Sequence, residues 1–115
     1  MWTIIRSRTR NTNMKKNMRL APVHPGDVLR EDFLIPLGLS AYRVAKDLSV
    51  EPIAITSICK GERSVSAIMA LKLARYFKTS PEIWTGLQAQ YDLEIASRKL
   101  LAKVERIHPC AALAA

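Results

Sequence analysis

Hydroxyl and basic side chains are frequent between residues 40 and 64, and they are the groups best suited to chemistry in this sequence. They donate hydrogen bonds or carry positive charge, the properties that bind phosphate oxygens, and backbone N–H groups at helix starts would add donors. A solvated surface is the alternative for any single charge. The candidate phosphate ligands are Ser40, Tyr42, Arg43, Lys46, Lys60, Arg63 and Ser64.

The stretch PIAITSICK lies inside this segment and has a face suited to reading bases. At about 100° per residue, a helix that turns Ile55 and Ile58 inward points Ile53, Thr56, Ser57 and Lys60 outward and places Ala54 on the flank. Ile53 and the Thr56 methyl can pack on thymine methyl groups, while the hydroxyls of Thr56 and Ser57 can bond base edges. The candidate base-reading residues, outward or on the flank, are Ile53, Ala54, Thr56 and Ser57.

No part of the sequence has the spacing of a catalytic or metal site. His24 and His108 stand alone, without a Ser/His/Asp, Cys/His or metal-spaced cluster, and there is no Walker or GxGxxG loop. Glu31 and Asp32 fall on different helix faces, so surface solvation explains them better than paired acid–base work. We therefore predict a protein that is not an enzyme and uses no metal or cofactor.

The positive charge of the chain is concentrated at its N terminus. The 115 residues include 18 Lys or Arg and 10 Asp or Glu, a formal charge of +8. Residues 1–19 carry six of the basic side chains and no acid, so the other 96 residues carry a net charge of only +2. We predict a disordered basic arm over residues 1–19, one folded domain over 20–107 and a frayed tail over 108–115.

The composition is ordinary for a soluble globular protein, with 49% hydrophobic residues and 24% charged residues. No apolar run approaches the roughly 20 residues of a membrane helix, and the N terminus lacks the apolar core of a secretory signal. Cys59 and Cys110 lack partners at disulfide or zinc spacing, so both are treated as free thiols. We expect a cytoplasmic protein without membrane contact.

Apolar periodicity and cap signals divide the chain after residue 20 into five helices. Ser and Pro mark the helix starts, Pro and Gly mark the stops, and no segment alternates as a strand would. The expected starts are Pro25, Ser40, Pro52, Ser64 or Ser66, and Ser80 with Pro81. The first helix is expected to stop at Pro36 and Gly38, the third at Gly61, and the last near Ile107. The sequence therefore predicts an all-α fold.

The second and third predicted helices are short and separated by only a few residues, which is the geometry of a helix-turn-helix. Val44, Ala45 and Leu48 form the inner face of the second helix, and Ala45 is small enough to let the helices cross closely. Many such motifs have Gly in the turn where this chain has Ser49, so we expect a slightly different turn. Simple core packing remains the alternative for a helical hairpin.

The sequences flanking this hairpin resemble the HigA family of addiction-module antitoxins, within the lambda-repressor-like, XRE-type helix-turn-helix class. The resemblance covers roughly Val23 to Leu101 and rests on HPG, PLGLS, LARYF and TSPEIW followed by LQAQYDL, in that order. It implies an all-α, five-helix lambda-repressor-like domain with a long last helix. It also implies repression of the protein's own operon through operator DNA, and neutralisation of a RelE/HigB-like toxin that cleaves messenger RNA.

The chain departs from this family in the third helix, where related antitoxins usually have Arg, Gln or Asn. Ile53, Ala54, Thr56 and Ser57 stand there instead, so readout is expected to depend on methyl contacts, hydroxyls and DNA shape. Two alternatives stay open: a stand-alone phage-type repressor without a toxin, and a protein-interaction module whose hairpin only packs.

The long last helix carries two apolar stripes. Trp84, Leu87 and Tyr91 form the first, which we expect to complete the core. The second is predicted to bury a symmetry mate or toxin, the alternative being that it packs back on the first helix. Because a helix-turn-helix monomer reads half a site, we expect a homodimer with recognition helices about 34 Å apart. The second stripe comprises Leu93, Ala96, Leu100, Val104 and Ile107.

Overall fold

Five helices follow one another in the part of the chain that the structure, a computed structural model, describes: residues 21–114. Helix α1 comprises an α-helical turn Pro25–Val28, a π-helical stretch Leu29–Leu34 and a last turn Ile35–Leu37. These residues contain no strand, which confirms the all-α prediction, and the predicted arm over residues 1–19 lies outside them. The later helices are α2 Ala41–Leu48, α3 Pro52–Cys59, α4 Ala67–Phe77 and α5 Pro81–Glu105, followed by a 3-10 turn Ala111–Ala114.

Helix α1 starts with a cap formed by a histidine. The Nδ1 atom of His24 accepts the Gly26 N–H at 2.9 Å, while the Asp27 carboxylate accepts the His24 N–H at 3.3 Å. These two bonds satisfy donors that a helix start otherwise leaves unpaired. Because His24 is buried and its ring packs edge-on against Tyr91 at 4.8 Å, the cap also joins α1 to α5.

The structure of α1 corrects two expectations. The Ile35 N–H donates to the Arg30 carbonyl, five residues back, and such a wide turn relieves the clash that Pro36 would cause in a regular α-helix. The helix therefore continues past Pro36 and ends at Gly38, whose φ is 67°. Asp32 is buried rather than solvated, because it lies four residues after Val28 and three after Leu29, on the side of α1 that faces the core.

The core gathers around one aromatic cluster. Phe33 of α1 lies 4.8 Å from Phe77 of α4 and 5.5 Å from Trp84 of α5, measured between ring centroids. The indole N–H of Trp84 donates to the Thr79 hydroxyl at 2.9 Å, so its burial leaves no polar atom unpaired. Trp84 is fully buried, and Leu87 beside it packs against the core, as the first stripe of α5 predicted.

The structure shows how the last two helices are capped. Ser66, not Ser64, caps α4, its hydroxyl accepting the Met69 N–H at 3.1 Å. Ser80 occupies the N-cap position of α5 but makes no side-chain cap bond. Further along α5, Gln88 secures the loop before α4 because its Oε1 accepts the Val65 N–H at 2.8 Å. None of the helices among residues 21–114 is long and apolar enough to cross a membrane.

Candidate nucleic-acid interface

The turn between α2 and α3 has the backbone geometry of a helix-turn-helix. Ser40 caps α2, its Oγ accepting the Arg43 N–H at 3.0 Å. Ser49 ends the helix with φ 59° and ψ 46°, and the Val50 N–H then donates to the Ala45 carbonyl at 2.9 Å. The turn thus keeps the left-handed conformation that glycine adopts most easily, and the expected departure at Ser49 is wrong. The left-handed conformation costs a non-glycine residue about 1–2 kcal/mol.

The start of α1 holds α3 in place. The backbones approach so closely that a Cβ atom on Gly26 would lie 1.7 Å from the Ile58 carbonyl oxygen, and only glycine permits this. Arg30 reaches the same end of α3, where its Nη1 donates to the Cys59 carbonyl at 2.7 Å. These contacts explain the HPG sequence, and they fix the orientation of the face that α3 presents outward.

That outward face carries an exposed isoleucine beside two hydroxyl side chains. Ile53 is 62% exposed and Thr56 and Ser57 are half-buried, whereas Ile55 and Ile58 on the opposite side are buried. The Thr56 hydroxyl lies 3.3 Å from two carbonyl oxygens of the preceding turn, so its proton is shared with the helix backbone. Thr56 would therefore act towards a base as an acceptor and through its methyl group.

Ala54 does not share this face. It is only 6% exposed and belongs to the hydrophobic core, because α3 packs against α1 and α2 and its flank is covered. This burial corrects the prediction that Ala54 reads bases, since its side chain has no access to a base edge. The base-reading roles of Ile53, Thr56 and Ser57 remain predictions.

The candidate phosphate ligands form two groups at the ends of the motif. All seven are exposed. The Ser57 carbonyl accepts the backbone N–H of Glu62 at 2.9 Å and of Arg63 at 3.3 Å, so the loop after α3 folds back on the helix. Glu62 is also exposed in this loop and lowers the net positive charge of the loop. The first group is Ser40, Tyr42, Arg43 and Lys46 on α2, and the second is Lys60, Arg63 and Ser64 in the loop.

Arg43 is not an isolated charge. Its Nε lies 3.0 Å from an Asp47 carboxylate oxygen, and the Tyr76 hydroxyl of α4 donates to that same oxygen. These bonds, first from Tyr76 and then from Arg43, hold the pKa of Asp47 below its ordinary value and raise the pKa values of both donors. The spacing of four residues between Arg43 and Asp47 is a signal that sequence reasoning missed, whereas Tyr76 required the fold.

The second stripe of α5 is open to solvent. Its members do not pack back on α1, so that alternative is wrong, and nothing among residues 21–114 covers them. Their exposed fractions are 69% for Leu93, 46% for Leu100, 54% for Val104 and 71% for Ile107. The described residues also hold no group of three or more His, Cys, Asp or Glu able to bind a metal ion.

A capped α2, a left-handed turn and an α3 with a buried and an exposed face define a helix-turn-helix protein of the DNA-binding class. The helix-turn-helix family model matches residues 29–84. Virulence-associated protein I of Dichelobacter nodosus is 43% identical over 76 residues, which are 66% of this chain and 70% of that protein.

Two solved structures are similar over nearly their whole length. The Pseudomonas aeruginosa antitoxin HigA, determined with the higBA promoter, is 37% identical, with a TM-score of 0.75 over 77% of this chain and 98% of that one. An addiction-module antidote protein of the HigA family from Coxiella burnetii is 39% identical, with a TM-score of 0.72 over 76% and 97%. The chain belongs to the HigA family of XRE-type helix-turn-helix proteins, and it is an antitoxin-like DNA-binding protein.

Proposed function

We propose that this protein represses its own operon by binding operator DNA as a homodimer, and that it neutralises a RelE/HigB-like toxin that cleaves messenger RNA. The proposed DNA binding is supported mainly by the outward face of α3. Ile53 is 62% exposed there, and contacts with α1 hold the helix in place. Because α3 is the second helix of the helix-turn-helix, an apolar side chain and hydroxyls on its outward face can contact thymine methyl groups and base edges in the major groove. The relative determined with its promoter supports this assignment.

A salt-dependent binding titration tests the repressor function. The probe is a labelled duplex from the DNA upstream of this gene, and the control is a scrambled duplex of equal composition. We expect tighter binding to the upstream duplex, with log Kobs falling by about 0.9 per log unit of salt for each phosphate neutralised. Equal affinity for both duplexes rejects operator recognition, and binding that hardly responds to salt rejects the phosphate contacts.

Co-expression with the product of the adjacent gene tests the antitoxin function. We expect that product to arrest growth alone, to be harmless when this protein is present, and to co-purify with it. If the neighbour is not toxic or does not bind while operator binding persists, the protein is a stand-alone repressor. If neither partner binds, the helical hairpin serves only packing.

A further inference from the structure

A hydrogen-bonded group of three polar side chains links α2 to α4 and includes Arg43 of the proposed DNA-contacting surface. Arg43, in the first turn of α2, is 65% exposed at its side chain, and Asp47 one turn later is 29% exposed. Tyr76 lies near the end of α4, and its hydroxyl donates to the same Asp47 oxygen that Arg43 contacts. An exposed ion pair of this kind adds little to folding stability.

The geometry of the Arg43–Asp47–Tyr76 interaction suits a role in phosphate binding. An unrestrained arginine side chain loses much rotational freedom when it binds a phosphate, and a partner that fixes it beforehand lowers that loss. Asp47 contacts only the Nε of Arg43, so the terminal guanidinium nitrogens remain available to a phosphate. Tyr76 in turn fixes the carboxylate, and its ring packs edge-on against Phe77 at 4.9 Å.

We infer that Asp47 and Tyr76 are positioning residues, which hold the Arg43 guanidinium ready for a backbone phosphate of the operator. The inference rests on the proposed DNA binding and extends it from residues that touch DNA to two that need not. A positioning role and a purely electrostatic role predict opposite effects on DNA binding when Asp47 is replaced. An aspartate beside DNA repels phosphates, so its removal should strengthen binding if the residue acts only through its charge.

Two substitutions distinguish a positioning role of Asp47 and Tyr76 from an effect of the Asp47 charge alone. Asp47→Asn removes the negative charge and Tyr76→Phe removes only the hydroxyl, keeping the ring contact with Phe77. We expect each to weaken operator binding about threefold and to bring the salt slope close to that of Arg43→Ala. In the Arg43→Ala background, Tyr76→Phe should have no further effect, and Asp47→Asn should no longer weaken binding.

Glu94→Gln is the matched control. It removes the acid of another exposed arginine pair with four-residue spacing, Arg98–Glu94 on α5, and adds the same unit of net charge. We expect unchanged operator affinity, with dimer mass and thermal unfolding checked for each variant. Tighter or unchanged binding by Asp47→Asn, or an undiminished Tyr76→Phe effect without Arg43, overturns the inference. Failure of the unaltered protein to bind the upstream duplex rejects the proposed function instead.

Discussion

Ile53 is the residue on which sequence discrimination depends most in this account. It is exposed on the outward face of α3, which it shares with Thr56. We expect Ala at both positions to cost about 1–3 kcal/mol of discrimination between operator and scrambled DNA, with non-specific affinity nearly intact. Ile68→Ala is the control, because Ile68 is 68% exposed but lies on α4. An equal loss on both duplexes would reject base readout by this face.

His24 gives the fold a defined response to acid. Burial lowers its pKa below the ordinary 6.5, against the opposing effects of Asp27 and Asp92. The unfolded chain therefore takes up a proton at higher pH than the folded one, so the free energy of unfolding falls as pH drops below about 6.5. Protonation of Nδ1 would also remove the acceptor that caps α1.

Urea unfolding at several pH values between roughly 7.5 and 5.5 measures this effect. We expect His24→Asn, which keeps a side-chain cap but does not titrate, to lose stability less steeply over that range. Parallel curves for the two proteins would show that His24 is not the group responsible.

At the scale of elements, the close approach of α1 and α3 makes Gly26 the most demanding position in the motif. Gly26→Ala places a Cβ 1.7 Å from the Ile58 carbonyl oxygen, and since that atom is backbone, a helix must move. We expect a loss of at least about 3 kcal/mol in the free energy of unfolding, measured in urea.

Gly86 provides the comparison for this change. It lies inside α5 with nothing within 4 Å of a Cβ, so Gly86→Ala should stabilise the protein by about 0.5–1 kcal/mol. Similar effects of the two substitutions would show that the α1–α3 contact is looser than described.

The sequence predicted those elements whose signals are local. Ser40 and Pro52 mark helix starts through their own backbone chemistry, and the inner face of α2 follows from spacing alone. The predictions that failed depended on neighbours. Ala54 is covered by α1 and α2, which a helical-wheel projection of α3 does not include, and the burial of Asp32 likewise depends on what packs against the inner side of α1.

For the whole molecule, we predict that the exposed second stripe of α5 forms the dimer interface. We propose that this apolar row is buried against a second copy rather than a toxin, because a helix-turn-helix monomer contacts only half a site. We expect Leu100→Asp with Val104→Asp to give a monomer by light scattering while the helical content stays unchanged, because both side chains are already exposed. Ile68→Asp with Leu71→Asp on α4 is the control. A dimer that survives the α5 changes places the interface elsewhere.

The measurement that tests the central claim most directly is a titration of the isotope-labelled isoleucine methyl groups with the upstream duplex, followed by NMR. Ile53 and Ile68 are exposed to a similar extent, at 62% and 68%, but only Ile53 lies on α3. We expect a large shift of the Ile53 methyl resonance and transfer of magnetisation between it and a thymine methyl, with Ile68 unaffected. An unmoved Ile53 resonance in the bound complex would contradict this expectation.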